Sequence, residues 1–213
     1  MQFCLDCLVL KYHNVHIMIY CRKYLLKEIA TVHSGYSIRG KIPEIPGGEL
    51  KIIQMKDIDP EFGIDWDRVA SINQVIRKKP DFLRENDIIF SGRGTKVFAV
   101  AADKPGIKTV AAPHFFVIKP MNDMVNARFL AWYVNQKPAQ IYLLKNAGSS
   151  AIINVTRQVL EELPVILPSL QDQLSITQYL AAARKEYRIA ANLYRKRNQL
   201  ISALITSSIQ EET

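Results

Sequence analysis

Residues 163–185 read LPVILPSLQDQLSITQYLAAARK, and from Ser169 to Thr213 the chain contains neither glycine nor proline. An apolar run bounded by Pro164 and Pro168 therefore feeds a largely polar stretch that nothing in the sequence interrupts. Proline removes a backbone donor and glycine loosens a helix, so a segment lacking both predicts one continuous helix. Ser169 supplies a natural N-cap. From Leu170 to Ile209 such a helix spans about 60 Å at roughly 1.5 Å per residue. Heptad spacing holds from Ile176: one line runs Ile176, Ala183, Ala190, Arg197, Leu204, the other Leu180, Tyr187, Tyr194, Ile201, Ser208. Mainly apolar seam positions over four heptads predict a coiled coil or helical hairpin, with Arg197 and Ser208 as polar interruptions. A stripe of this length needs an apolar partner. A helix from another chain satisfies it, as would folding back onto the chain's own globular part.

The preceding residues mix strand and helix signals, which predicts an α+β fold. A mixed domain over residues 24–168 is followed by the long coiled-coil helix over 169–213. Within that domain, residues 24–41 read as a short amphipathic helix with Leu25, Leu26, Ile29 and Val32 on one face, stopping at Ser34-Gly35. Residues 49–59 form a β-rich run between proline and glycine clusters, 86–103 a strand, glycine turn and strand, and 109–120 a further strand. Residues 126–136 carry Phe129, Leu130, Tyr133 and Val134 at helical spacing. Residues 137–156 predict a helix, a Gly-Ser-Ser loop and a short strand, after which Thr156 caps the small helix RQVLEEL.

A net charge of +8 and a pI of about 9.4 favour a polyanionic partner. The excess lies mostly on the globular part: residues 1–168 carry 22 basic and 16 acidic side chains, residues 169–213 carry 6 and 4. The three cysteines, Cys4, Cys7 and Cys21, are too few for a disulfide scaffold, so a reducing, cytoplasmic setting is expected. The apolar N-terminal stretch is interrupted by Asp6, Lys11 and His13, has no signal-peptide cleavage pattern and does not reach transmembrane length, so no membrane partner is expected. Met18 offers an alternative start, and residues 1–23 read as an extension outside the domain.

Three loops in this basic domain pair glycine or small polar residues with hydrogen-bond donors. SGRGT with the following lysine offers Arg93 and Lys96 beside two glycines that let the backbone approach a ligand closely. Arginine can bind guanine bidentately and lysine suits phosphate. KNAGSSAI offers Lys145, Ser149 and Ser150, and SGYSIRGK offers Tyr36, Arg39 and Lys41. A hairpin turn or flexible connector with solvated charges explains each loop by itself. The run Arg77–Lys79 reads as a solvated turn. Cys4, Cys7, His13 and His16 are zinc-capable, but their spacing is far shorter than a zinc finger's, so no metal is expected. Glu49 and Lys51 have the E-x-K form of some nuclease centres but no convincing upstream aspartate accompanies them. Glycine-rich cofactor fingerprints, a Ser-His-Asp arrangement and a methyltransferase motif are all missing, so no cofactor and no catalytic residue are assigned.

Taken in order, LKEIATVHSGYSIRGK, IIQMKDID, NDIIFSGRGT, ARFLAWYVNQ, GSSAIINVT and LEELPVILPSLQDQLSITQYL resemble the specificity subunits of type I restriction–modification systems. The resemblance spans about residues 24–209 and rests most heavily on the Pro-bounded run leading to Gln173. Where the family has Gly-Asp-Ile, this chain has Asn86-Asp87-Ile88, and asparagine tolerates the left-handed turn conformation. The family carries two target recognition domains and two antiparallel helices; this chain resembles one of each, a half-subunit. The resemblance implies a non-catalytic reader of double-stranded DNA that directs a modification methyltransferase subunit and a restriction motor subunit. It also implies a homodimer through the C-terminal helix, using Ile176, Leu180, Tyr187, Tyr194, Ile201 and Leu204. DNA contacts would come from Tyr36, Arg39, Lys41, Arg93, Lys96, Lys145, Ser149 and Ser150. A regulatory fragment that binds the methyltransferase through its helix without reading DNA is the alternative, and a small nuclease using Glu49 and Lys51 a third.

Overall fold

The computed structural model describes the backbone of residues 6–12, 15–37, 45, 47–73, 80–106, 108–148 and 152–210. The first strands, β1 (Asp6–Tyr12) and β2 (Val15–Leu25), form an antiparallel hairpin whose register pairs Cys7 with Tyr20 and Leu10 with Ile17. Strand β2 runs through the expected boundary at residues 23 and 24 and also pairs with the Pro-bounded run near residue 166.

A single helical turn follows, α1 (Leu26–Ile29), and then strand β3 (Ala30–Ser34). The helix predicted over residues 24–41 is thus confined to one turn. From Ala30 the burial alternates, with Ala30 and Val32 buried and Thr31 and His33 exposed, a period-two pattern that suits the β-branched Thr31 and Val32. Strand β4 (Leu50–Ile53) stops where the Asp57 carboxylate accepts the Gln54 backbone N–H at 2.8 Å, making a 3₁₀ turn over Met55–Asp57. Short strands β5 (Ile58–Asp59) and β6 (Gly63–Ile64) pair with each other, and β7 (Ala70–Ile72) returns alongside β4.

Then come β8 (Ile88–Ser91), β9 (Arg93–Gly94) and β10 (Phe98–Ala101). The strand expected over 109–120 is two, β11 (Thr109–Ala111) and β12 (Phe115–Pro120), in different sheets. Between them Pro113 has no N–H for a ladder and permits the turn. Helices α2 (Ala127–Val134) and α3 (Lys137–Asn146), strand β13 (Ile153–Asn154), helix α4 (Arg157–Glu161) and strand β14 (Pro164–Pro168) complete the mixed part. Asn126 caps α2 by accepting Phe129 N–H at 3.0 Å, and, as the sequence predicts, Thr156 caps α4 through Val159 N–H at 3.3 Å. Helix α5 (Leu170–Gln210) is one unbroken element of 41 residues, capped by Ser169 Oγ, which accepts Asp172 N–H at 3.2 Å. Among the described residues no helix is long and apolar enough to cross a membrane.

Strand order β10-β8-β12-β3 gives an antiparallel four-stranded sheet, and β11-β4-β7 a second one in which β11 and β4 run parallel. Ile89, Phe98, Val100 and Val117 from the first sheet share one core cluster with Leu50, Ile52, Ile53, Ile72 and Val110 from the second. At about 1.5–3 kcal/mol per large aliphatic or aromatic side chain buried, this cluster is a principal source of the domain's stability. Helix α2 covers edge strand β10, where the Asn135 side chain takes the place of a neighbouring strand: its Oδ1 accepts Ala99 N–H and its Nδ2 donates to Ala99 O, both at 2.8 Å.

The chain divides into two compact units, Met1–Leu174 and Ser175–Thr213. At the end of the first, Gln173 is fully buried and fully satisfied. Its Nε2 donates to Met124 O at 2.8 Å and to Pro168 O at 2.9 Å, and its Oε1 accepts Asn126 N–H at 2.8 Å. One amide thus joins the end of β14, the first turn of α5 and the loop that opens α2. Gln173→Leu, close in size, strands these three groups and should cost about 2–4 kcal/mol of unfolding free energy by denaturant titration. A loss below about 0.5 kcal/mol, the scale of an ordinary surface change, would contradict the role given to this amide.

Asn86 holds the left-handed conformation the sequence reading required, with φ at 72°. Asn86→Gly should be neutral or stabilising, whereas Asn86→Val should cost about 1–2 kcal/mol, since a β-branched side chain is strained there. Equal stabilities for the two variants would contradict it.

Candidate nucleic-acid interface

Antiparallel register decides which loops meet. Strand β12 pairs Phe115 with Ser91 of β8, and Gly35 N–H donates to Phe115 O at 2.8 Å just beyond β3. The chain therefore leaves β3 toward Tyr36 and β8 toward Arg93 at one end of the sheet, where it also enters β10 from Lys96 and β12 from His114.

The Arg93 loop is more than the plain hairpin turn the sequence allowed. Its short strand β9 pairs antiparallel with β13, Arg93 opposite Asn154 and Gly94 opposite Ile153. Val155 N–H donates to Gly92 O at 2.8 Å. A Cβ on Gly92 would lie 2.8 Å from the Phe90 ring and 3.2 Å from Val155 O, so only glycine lets the two segments approach this closely. Gly94 meets a different need, with φ at +130° in open space. The ladder ties the end of the 145–152 loop to the Arg93 loop. Arg93 and Lys96 are exposed and, among the described residues, neither makes an ion pair.

Tyr36 is held by its backbone. Its N–H donates to Ala111 O at 2.8 Å, and a Cβ on the preceding Gly35 would sit 2.0 Å from Ala112 O. The Tyr36 side chain is half-buried against the core cluster, so its ring is partly committed to packing. Lys145 is exposed in the last turn of α3, where a cation also complements the helix dipole, and from there the chain enters the loop returning to β13. Arg39, Lys41, Ser149 and Ser150 lie outside the described residues, as do Arg77–Lys79 and the Cys4 and His13 of the zinc reading. Among the described residues no three His, Cys, Asp or Glu side chains cluster to hold a metal. Glu49 and Lys51 are exposed on and beside β4.

Two residues at this end escaped the sequence reading. His114 is exposed in the turn entering β12, and Met55 is exposed beside β8, its Sδ accepting from Ser91 Oγ at 4.0 Å. A proline-histidine turn between two strands was a usable signal for the first. Sequence offered none for the second, because its neighbour lies 36 residues away.

On α5, the predicted seam begins with Ile176 and Leu180, both half-buried, and continues through Tyr187, Tyr194, Ile201 and Leu204, all exposed. A second apolar line, missed by the heptad count, runs Tyr179, Ile189, Leu193 and Leu200, each more than half exposed. At about 100° per residue it lies roughly a third of a turn around the axis from the first. The exposed apolar surface of this helix is therefore two stripes wide.

Comparison with known proteins gives this geometry its family. The family model described as "Type I restriction modification DNA specificity domain" matches residues 21–196. Among solved structures, the S subunit of a type I restriction-modification system from M. genitalium is similar with a TM-score of 0.57 and 17% identity, over 86% of this chain and 43% of that one. The HsdS subunit from Thermoanaerobacter tengcongensis gives 0.58 and 17%, over 81% and 44%. A chain from a structural study of complex assembly and conformational transition in the type I R-M system gives 0.55 and 19%, over 78% and 38%. At these identities the likeness shows the fold, and the chain spans less than half the length of each. No curated protein sequence matches. With the family model covering most of its length, the chain belongs to the type I restriction modification DNA specificity domain family.

Proposed function

We propose that this chain is a DNA sequence-recognition module, without catalysis of its own, that gives a type I modification methyltransferase and its restriction motor their target. Specificity subunits of such systems are non-catalytic. The observation that carries the reading is the convergence of the Tyr36 segment, the Arg93 loop and strand β13 at one sheet end in a basic member of this family. In this reading residues 24–168 form the target recognition domain. Arg93 reads a base edge, and Lys96 and Lys145 hold backbone phosphates.

Residues 169–213 form the pairing helix, as expected for a half-subunit. The seam of Ile176, Leu180, Tyr187, Tyr194, Ile201 and Leu204 takes a second copy, which restores two recognition domains with twofold symmetry. The second stripe takes a helix of the methyltransferase. Residues 184–197 carry six basic and one acidic side chain, net +5, so that helix would be acidic.

Two outcomes test the reading. Arg93→Ala should cost about 1–3 kcal/mol of binding to the selected duplex and relax preference at one base position. Unchanged affinity together with unchanged site preference removes Arg93 from the reading surface. By sedimentation, the chain should be a dimer or form a stable complex with the methyltransferase, and Tyr194→Lys combined with Ile201→Lys should abolish the pairing. A monodisperse wild-type monomer that ignores the methyltransferase would contradict the role of the helix.

A further inference from the structure

At the other end of the four-stranded sheet, away from the reading loops, lies an open cleft of about 570 Å³. Arg84, Lys104, Lys108 and Arg128 line it, with Glu85 and Asp103. Four cations against two carboxylates leave a local charge of +2, and the Asp103 carboxylate is already engaged by the Trp66 indole N–H at 2.9 Å. All four cations are exposed, and among the described residues none of them makes an ion pair or a side-chain hydrogen bond.

Their backbones are fixed even though their side chains are unengaged. Arg84 N–H donates to the Asp87 carboxylate at 2.9 Å, and Asn86 and Asp87 bond Ala102 across the two turns. Lys108 is held at φ +59°, unusual for a residue with a side chain, by its carbonyl accepting Lys51 N–H at 3.0 Å. Arg128 sits in the first turn of α2, where a cation opposes the helix dipole and an anion is favoured. Phe82, half-buried on the core, forms an apolar wall. The volume is that of a small-ligand pocket.

We infer that this cleft is a second anion site, built for a ligand bearing two or more phosphate groups, distinct from the reading loops. Guanidinium forks suit phosphate oxygens, and several unpaired cations around one opening recognise clustered negative charge better than a lone carboxylate. The phosphates could be those of a free nucleotide or of a nucleic-acid backbone, and the inference stands whether or not the loop cluster reads DNA.

Titration calorimetry on the full chain with inorganic tripolyphosphate, ATP and a short duplex tests it. The wild type should bind at least one of the three through the cleft. The double variant Arg84→Ala with Arg128→Ala should weaken that binding about tenfold or more, as loss of charged hydrogen bonds predicts. Lys104→Glu should do the same, and unchanged thermal unfolding of either variant keeps the result interpretable. The loop variant Arg93→Ala with Lys96→Ala should leave tripolyphosphate affinity unchanged, which separates this site from the reading surface. A response to tripolyphosphate or ATP identifies a free ligand; a response to the duplex alone, with a shallower salt slope, identifies a backbone strip. Affinities for all three ligands that match wild type in both cleft variants overturn the inference.

Discussion

Strand β12 is hydrogen-bonded on both sides, and its register governs the rest of the domain. Because Phe115 stands opposite Ser91, and Gly35 N–H closes onto the Phe115 carbonyl, loops far apart in sequence leave the sheet at the same end. Strand β8 is buried on both faces, so a one-residue slip would exchange its core side chains between the two faces, and core packing and loop placement are enforced together. The small β9–β13 ladder extends this logic to a third loop, with Gly92 as the point of closest approach. Rigid sheet ends that carry variable loops are a general way to present a recognition surface on a stable scaffold.

A second constraint acts where the mixed domain meets the long helix. Gln173 satisfies every polar atom of its buried amide using the end of β14 and the loop before α2, so the first turn of α5 cannot shift without stranding polar groups. Beyond Leu174 the helix carries two exposed apolar stripes flanked by a basic band. In the proposed reading this exposed apolar surface is the pairing face of the helix. Two stripes rather than one agree with a partner on each.

Several elements were legible because local chemistry alone specifies them. The absence of glycine and proline after Pro168 gave α5 nearly to the residue, and the caps at Thr156 and Ser169 were readable from residue type. Asn86 was legible too, since the left-handed turn has few tolerated occupants. What failed depended on distant neighbours. Residues 30–34 have a helical apolar spacing but become a strand because β12 is there to pair with them. Residues 109–120 look like one strand, but Pro113 splits them between two sheets. The contribution of β1 and the pairing of β2 with β14 could not be read because residues 1–23 read as an extension outside the domain. At the candidate site, sequence named the loops but not their meeting, and it missed His114, Met55 and the second stripe of α5, all of which depend on packing or exposure.

In the proposed division of labour, one sheet end meets the duplex while the helix recruits other polypeptides. Photo-crosslinking from the chain to its selected duplex, in complex with the methyltransferase, tests this most directly. A photoreactive residue at position 95, in the Arg93 loop, should crosslink to bases within the target, and one at position 123, beyond the other end of β12, should give no base crosslinks. Base crosslinks from position 123 with none from position 95 would contradict the account.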